Sequence, residues 1–322
     1  MIQYIIRRLL LCVVILFGVS LILYGIIRAM PGDYITSMTA SNKAITGEMV
    51  ERLKDLYGLN DSVWQGYLKW LGGALRGDFG TSFLFKEPVS SVIAKRMWVS
   101  FSLALPAFIL QMIIAIPLGI ISATRQYSKT DYAVTVFALV GISLPSFFFA
   151  VVLQRVFAVG LQWLPLSGML SARMSYTGFA KVLDMAYHFI LPVTVLTVTS
   201  LGGLMRYSRT NMLEVLNADY IRTARAKGLT ERTVIYRHAF RNTLIPIVTM
   251  VGGMLPGLFS GAIITERIFS IDGLGTTAFK ALNAGDIPFI MGFNMFLAVL
   301  ILLGNLISDI LYAVVDPRIR YS

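Results

Sequence analysis

One cysteine and two histidines stand among 322 residues. Cys12 alone excludes an intrachain disulfide and a cysteine-built metal site. His188 and His238 are too far apart in sequence to read as a paired ligand set. Nucleotide-handling patterns are missing as well. There is no G-x-x-x-x-G-K-[ST], so no P-loop to cradle ATP phosphates. H-E-x-x-H, C-x-x-C and G-x-S-x-G are also absent. Charge is scarce, at 14% of residues, against about 25% in an ordinary soluble domain. No acids and histidines cluster at the middle of an apolar run, where proton relays place them. These absences argue against an enzyme, a resident metal and a cofactor, and weaken the reading as an ion-driven carrier.

Apolar sequence is abundant instead, at 56%. Six uncharged stretches are long enough to cross about 30 Å of hydrocarbon as helices. They are Leu9–Ile27, Met97–Thr124, Tyr132–Gln154, Met185–Met205, Asn242–Thr265 and Ile287–Ser308. The first follows Arg7-Arg8, but its apolar run is long and no small-residue cleavage site follows, so it reads as an uncleaved anchor. The expected fold is therefore an all-α polytopic membrane protein with six transmembrane helices. With the N-terminus inside, the inner segments hold fourteen Lys and Arg and the short outer ones four. That asymmetry places both termini on the cytoplasmic side of the cell membrane. The net charge of +11 then reflects orientation and anionic headgroups in the lipid bilayer, and no nucleic-acid partner is expected.

One transmembrane domain over 1–322 is expected: a first span at 9–30, an extracytoplasmic helical segment at 31–96, and a five-span core at 97–315. In the outer segment, Thr46 is a candidate N-cap and Gly58 a stop. A second helix there has Asp61 as cap, Gly77 as stop, and Trp64, Tyr67, Leu68, Leu71 and Leu75 on one face. Span five carries Gly253, Gly257 and Gly261 at i, i+4, i+8, a small-residue face for helix packing or pore lining. Pro117, Pro145, Pro192 and Pro256 predict kinks. Thr276-Thr277 can cap a short helix over Ala278–Ala284, which Gly285 stops. Polar and large side chains at membrane depth make a candidate translocation path: Gln111, Ser143, Phe147, Met250, Met254 and Asn294.

The inner loop 206–243 is the one inner segment long enough to fold. Asn217 is a candidate cap for a helix through Lys227, with Asp219 in its first turn and basic residues near its end, as the helix dipole favours. Gly228 stops that helix, and Thr230-Glu231 starts another. Basic residues interleaved with Ala224, Ala226 and Gly228 suit close approach to an acidic-rimmed groove of a protein partner. Binding of lipid headgroups through the charge is the plainer alternative.

"DYIRTARAKGL" followed by "RHAFRNTLIPIVT" resembles the cytoplasmic loop of the dipeptide/oligopeptide/nickel-type permeases of ABC importers. The resemblance extends over nearly the whole chain, through "MPGD", "LYGLNDSVWQGYLKWLGGALRGDFGTSF", "SLPSFFFAVVL", "ERIFSIDGLG" and "YAVVDPRIR". It implies a permease subunit forming half of a path for peptides, or with the same architecture for nickel or oligosaccharides. Its implied partners are a sibling permease, two cytoplasmic ATPase subunits and an extracytoplasmic solute-binding protein. It implies an ATPase-coupling helix over Asp219, Tyr220, Arg222, Thr223, Ala224, Arg225, Ala226, Lys227, Gly228 and Leu229. Ala224 and Gly228 correspond to the second alanine and the glycine of the EAA motif. That motif's glutamate is replaced here by Arg222, and Pro246 lies farther from the glycine than its proline does. The acid-mediated contact of other families therefore does not carry over. A secondary carrier and a membrane anchor recruiting a cytoplasmic protein are the remaining readings.

Overall fold

The computed structural model describes residues 2–29, 60–172, 174 and 176–315. The expected helix between Thr46 and Gly58 lies outside the described residues. Among those described the chain is helical, with one isolated bridge between Thr81 and Pro88. Among the described residues five helices are long and apolar enough to cross a membrane, and a bent helix pair has the length and composition for a sixth crossing when its arms are taken together. In chain order these are α1 (Ile2–Ala29), an outer helix α2 (Val63–Ala74), α3 (Val89–Thr124), α4 (Lys129–Ser143) and α5 (Ser146–Leu153). Then come α6 (Gly178–Leu216), α7 (Asp219–Ala226), α8 (Glu231–Thr233), α9 (Phe240–Met254), α10 (Gly257–Ser260), α11 (Ile263–Ile268), α12 (Leu274–Ala284) and α13 (Ile287–Val315).

Two units can be described, each by itself. In the first, α2 lies against α1. Tyr67 is 1% exposed, and its hydroxyl shares a 2.9 Å hydrogen bond with Ser20 Oγ. Tyr24 meets Tyr67 edge to face at 5.5 Å, and Arg28 donates to the carbonyl of Asp61 at 2.6 Å. The buried edge of α2 is Tyr67, Trp70 and Leu71, whereas Trp64, Leu68 and Leu75 are exposed. Burial of Tyr67 requires a partner for its hydroxyl, and that requirement sets the helix rotation in place of the widest apolar face. Ser62 caps α2 by accepting from the Gln65 amide. Asp61, the expected cap, is instead paired with Lys69 at 2.7 Å.

Asp286 is fully buried in the same unit. It accepts from Ser82 Oγ at 2.5 Å, the Leu84 amide at 3.0 Å and the Phe289 amide at 3.2 Å. One carboxylate thus caps α13 and ties down the loop before α3. Val89, Val92, Ile93, Leu274, Ala281 and Phe289 form the surrounding core. Helix α12 starts one turn before the expected cap. Thr277 lies inside it and returns its hydroxyl to the Gly273 carbonyl at 2.7 Å. Gly285 stops α12 in the left-handed region, at φ 67°.

In the second unit, α4 packs on α6 at backbone distance. A Cβ at Gly202 would stand 2.6 Å from the Ala138 carbonyl oxygen. The third span is a sharp elbow: Lys129–Ser143 and Ser146–Gly160 meet at 100°, beyond the kink expected of Pro145. Leu144 is extended, at ψ 121°, so α4 ends before the proline, as pre-proline sterics favour. Its second arm finishes in π-helical turns over Gln154–Gly160. Span five is also broken. Its helix stops at Met254, and Gly261 adopts φ 85° between α10 and α11. The expected stripe is not the packed one. Nothing lies within 4 Å of a Cβ at Gly253 or Gly257. The close approaches are instead at Gly252, against Ser308, and at Gly304, against Pro256.

Candidate functional site

Between α6 and α9 the chain leaves the bundle and returns, and the turnaround is built on α7. Asn217 does not cap it. The Asn217 side chain donates back to the Leu213 carbonyl at 3.0 Å, closing α6, and Ala218 precedes α7 without a side-chain cap. The first turn is held instead by Thr223 Oγ1 donating to the Asp219 carbonyl at 3.0 Å and by a 3.4 Å pair between Arg222 and Asp219. Eight residues of helix have little stability of their own, so α7 relies on two inward side chains. Ile221 is fully buried and Ala224 is 7% exposed. Both sit in a cluster with Ile120 and Ala123 at the end of α3, Met212 of α6, and Val234 and Ala239.

Asp219, Tyr220, Arg222, Thr223, Arg225, Ala226, Lys227, Gly228 and Leu229 are exposed. Desolvation by partial burial nevertheless raises the Tyr220 phenol above its ordinary value. Ala224 was expected to offer clearance to a partner. It is consumed inside the chain, because a larger side chain there would hold α7 off its own core. Ala226 and Gly228 are the small residues left on the surface. Gly228 adopts φ +76°, a conformation that disfavours residues with a Cβ.

Thr230 caps α8, its hydroxyl accepting from the Thr233 amide, as its sequence pattern predicts. From α8 the chain runs without a break through π-helical turns over Val234–Ala239 into α9. Across the turn, Arg225 donates to both carboxylate oxygens of Glu231, at 3.2 and 2.7 Å. This paired geometry holds the Glu231 carboxyl below its ordinary range and raises the Arg225 guanidinium. The loop is thus pinned twice, by apolar burial under α7 and by an ion pair closing its turn.

A second polar assembly lies at the same end of the second unit. Asp131, nearly buried in the first turn of α4, accepts from Ser122 Oγ and from the Tyr127 amide at 2.9 Å. Arg209 of α6 reaches it with Nη2 at 3.1 Å and Nε at 3.2 Å. Arg209 is 78 residues from Asp131, and the sequence reading passed over both. The local signal was Ser128-x-x-Asp131, a capping pattern, and Ser128 Oγ does accept from the Asp131 amide. Glu266 was also missed. It is fully buried and accepts from Ser100 Oγ at 2.6 Å and the Ala262 amide at 3.1 Å.

The candidate path residues differ in their surroundings. Gln111 is 5% exposed and donates to the Ser200 carbonyl at 3.0 Å, bonding a neighbouring helix. Met250 packs against the cluster of Ala115, Ala138, Leu201, Leu204 and Met205. Ser143 and Phe147 flank the elbow of span three and are exposed. Met254 is half-buried at the end of α9. Asn294, half-buried on α13, donates to its own helix at Ile290. Among the described residues there is no group of His, Cys, Asp and Glu able to hold a metal ion.

Comparison with known proteins bears on this arrangement. Residues 115–321 match the family described as binding-protein-dependent transport system inner membrane component. Residues 1–104 match the N-terminal region of such components. The chain is 43% identical to the oligopeptide transport system permease protein AppB of Bacillus subtilis, over all of both chains. It is 36% identical to the dipeptide transport system permease protein DppB of Escherichia coli K12, again over all of both. Among solved structures, the inward-facing MetNI methionine ABC transporter aligns with a TM-score of 0.52 and 14% identity. That alignment covers 70% of this chain and 96% of the other, a likeness of fold.

Proposed function

The chain belongs to the binding-protein-dependent transport system inner membrane components, and on that premise we propose that the solute it moves is a peptide. It is a multi-pass membrane permease subunit of an ABC importer. Such a permease works with an ATPase and a solute-binding protein. Peptides are the cargo named for the full-length relatives at 43% and 36% identity, which favours them over nickel or oligosaccharides.

In this reading a sibling permease supplies the other half of the path, and two ATPase subunits sit on the cytoplasmic side. The termini and α7 share that side, as the basic inner segments favour. The candidate path residues Gln111, Ser143, Phe147, Met250, Met254 and Asn294 stay a proposal to be tested one by one.

The observation that carries the coupling role is the mounting of α7. Its outward face is exposed and basic, while Ile221 and Ala224 fasten it to the ends of α3 and α6. A groove closing on Arg222, Ala226, Lys227, Gly228 and Leu229 would displace a fixed element. ATP binding and hydrolysis on the partner chains then shift the permease between two states, each stabilised by differential contact with α7.

The test is reconstitution of this chain with its sibling permease, ATPase subunits and binding protein in proteoliposomes. ATP-dependent uptake of a peptide library is expected, with no uptake under an ion gradient alone. Uptake driven by the gradient, or of nickel or oligosaccharides but not peptides, would overturn the reading.

A further inference from the structure

We propose that the first unit holds a single phospholipid, with an acyl chain against α1 and a zwitterionic, amine-bearing headgroup beside Arg28. Two adjoining cavities carry the proposal. The larger, about 620 Å³, is walled almost wholly by apolar side chains, among them Phe17, Trp70, Ile93, Met97 and Phe296. The smaller, about 290 Å³, has mostly apolar walls but brings four charged residues to its lining, Arg28, Lys69, Asp61 and Asp78. Trp70 and Phe79 line both. A long apolar slot that continues into a charged one matches a lipid better than a solute of uniform polarity. The larger volume also falls within the range of about 300–1,000 Å³ typical of ligand sites.

Depth supports the same occupant. Val13 lines the apolar cavity and Arg28 the polar one, both on α1. Fifteen helical residues separate them, or about 22 Å at 1.5 Å per residue. Half of a bilayer with its headgroups is about 20–22 Å. Arg8 and Arg28 bound about 30 Å of helix, which places Phe17, also in the wall of the apolar cavity, near the midplane and Val13 just past it, so the two cavities together reach about one leaflet deep.

The polar end selects the headgroup. It presents two cations and two carboxylates, a balance suited to a phosphate and an ammonium side by side. Lys69 is paired with Asp61 at 2.7 Å, but its side chain is 70% exposed, so a phosphate can draw it away and leave the Asp61 carboxylate to an ammonium. Asp78 uses one carboxylate oxygen for the Gly80 amide at 2.8 Å, and its other oxygen suits an ammonium. Trp70 adds an independent observation. Its indole Nε1 is buried without a hydrogen-bond partner among the described residues. A buried donor left unpaired is costly, and a lipid ester or phosphate oxygen at the junction of the two cavities would satisfy it.

The assembled transporter, purified from membranes into mild detergent, can be examined by native mass spectrometry and photolabelled with a phosphatidylethanolamine carrying a diazirine on its acyl chain. One retained phosphatidylethanolamine is expected, in preference to phosphatidylglycerol, with the label on α1, α2, α3 or α13, the helices that wall the apolar cavity. Ala94→Trp, which puts an indole into the apolar cavity that Ala94 lines, is expected to abolish retention and labelling. Trp70→Phe keeps an aromatic side chain, smaller by one ring, and removes the donor, and is expected to weaken retention at least about two- to tenfold, the worth of one hydrogen bond. Should Ala94→Trp fail to assemble, Trp70→Phe and the label position decide alone. Absence of a retained lipid, preference for phosphatidylglycerol, labels on other helices, or unchanged retention in Trp70→Phe would each overturn the assignment.

Discussion

Replacing Ala224 and Ala226 separately by leucine separates the two jobs of the turnaround helix. The positions lie two residues apart on α7, so their side chains cannot share a face. Ala224 is 7% exposed within the cluster of Ile120, Ala123, Met212, Ile221, Val234 and Ala239. A leucine there cannot collect the roughly 0.8 kcal/mol per buried methylene, because the space is already filled. Overpacking instead costs about 1–3 kcal/mol and lifts α7 from its seat. Ala226 is exposed, so leucine there should change stability by no more than about 0.5 kcal/mol.

The two variants should therefore fail differently. Ala224→Leu lowers the thermal unfolding midpoint of the permease measured alone in nanodiscs. Ala226→Leu leaves that midpoint in place but weakens association with the ATPase subunits, by about tenfold for 1.4 kcal/mol of lost fit. Surface plasmon resonance on the immobilised permease reads the second effect. A destabilised Ala226→Leu, or an Ala224→Leu that unfolds like the native chain, would refute the division of labour.

Gly228→Ala puts a Cβ into open space but holds an L-residue at φ +76°, so a loss of about 1–2 kcal/mol is expected. Gly228→Asn should lose less, and hydrogen exchange over residues 219–230 would rank the two. Breaking the Arg209–Asp131 pair by Arg209→Ala strands a carboxylate whose side chain is 6% exposed and should cost about 3 kcal/mol. The double variant Arg209→Ala/Asp131→Ala should recover part of that loss in denaturation. The Glu231 carboxyl is held below its ordinary value of 4.5. Its contribution is therefore complete above about pH 4.5 and disappears as pH falls through the lower folded value. Both partners are about half exposed, so less than about 1 kcal/mol is at stake. Protection factors of the loop, corrected for the pH dependence of intrinsic exchange, should fall on acidification in the native chain and lose that response in Glu231→Gln.

Features with purely local causes could be read from sequence. Gly228 and Gly285 end helices because the chain must turn left-handed just there, and Thr230 caps because its own side chain reaches three residues on. The six apolar stretches follow from length and composition. Features fixed by a distant partner could not be read. Arg209 finds Asp131 across 78 residues, and nothing in either neighbourhood names the other. The glycine spacing in span five was real, but the close packing falls at Gly252 against Ser308 and, from α13, at Gly304 against Pro256, and leaves Gly253 and Gly257 open. Pro145 predicted an interruption. How far the two arms swing depends on packing against α6, which a sequence period does not encode. The hydroxyl of Tyr67 likewise overruled the wider apolar face of α2 once Ser20 stood opposite.

The Arg225–Glu231 clamp and the seat of Ile221 also bear on how far anything can travel at this end of the molecule. A loop on slack tethers would absorb a push by tilting, and little would reach the bundle. Here Ile221 and Ala224 pack directly against Ile120, Ala123 and Met212, so a displacement imposed on α7 bears first on those neighbours in α3 and α6. The short helix is then a handle rather than a spring.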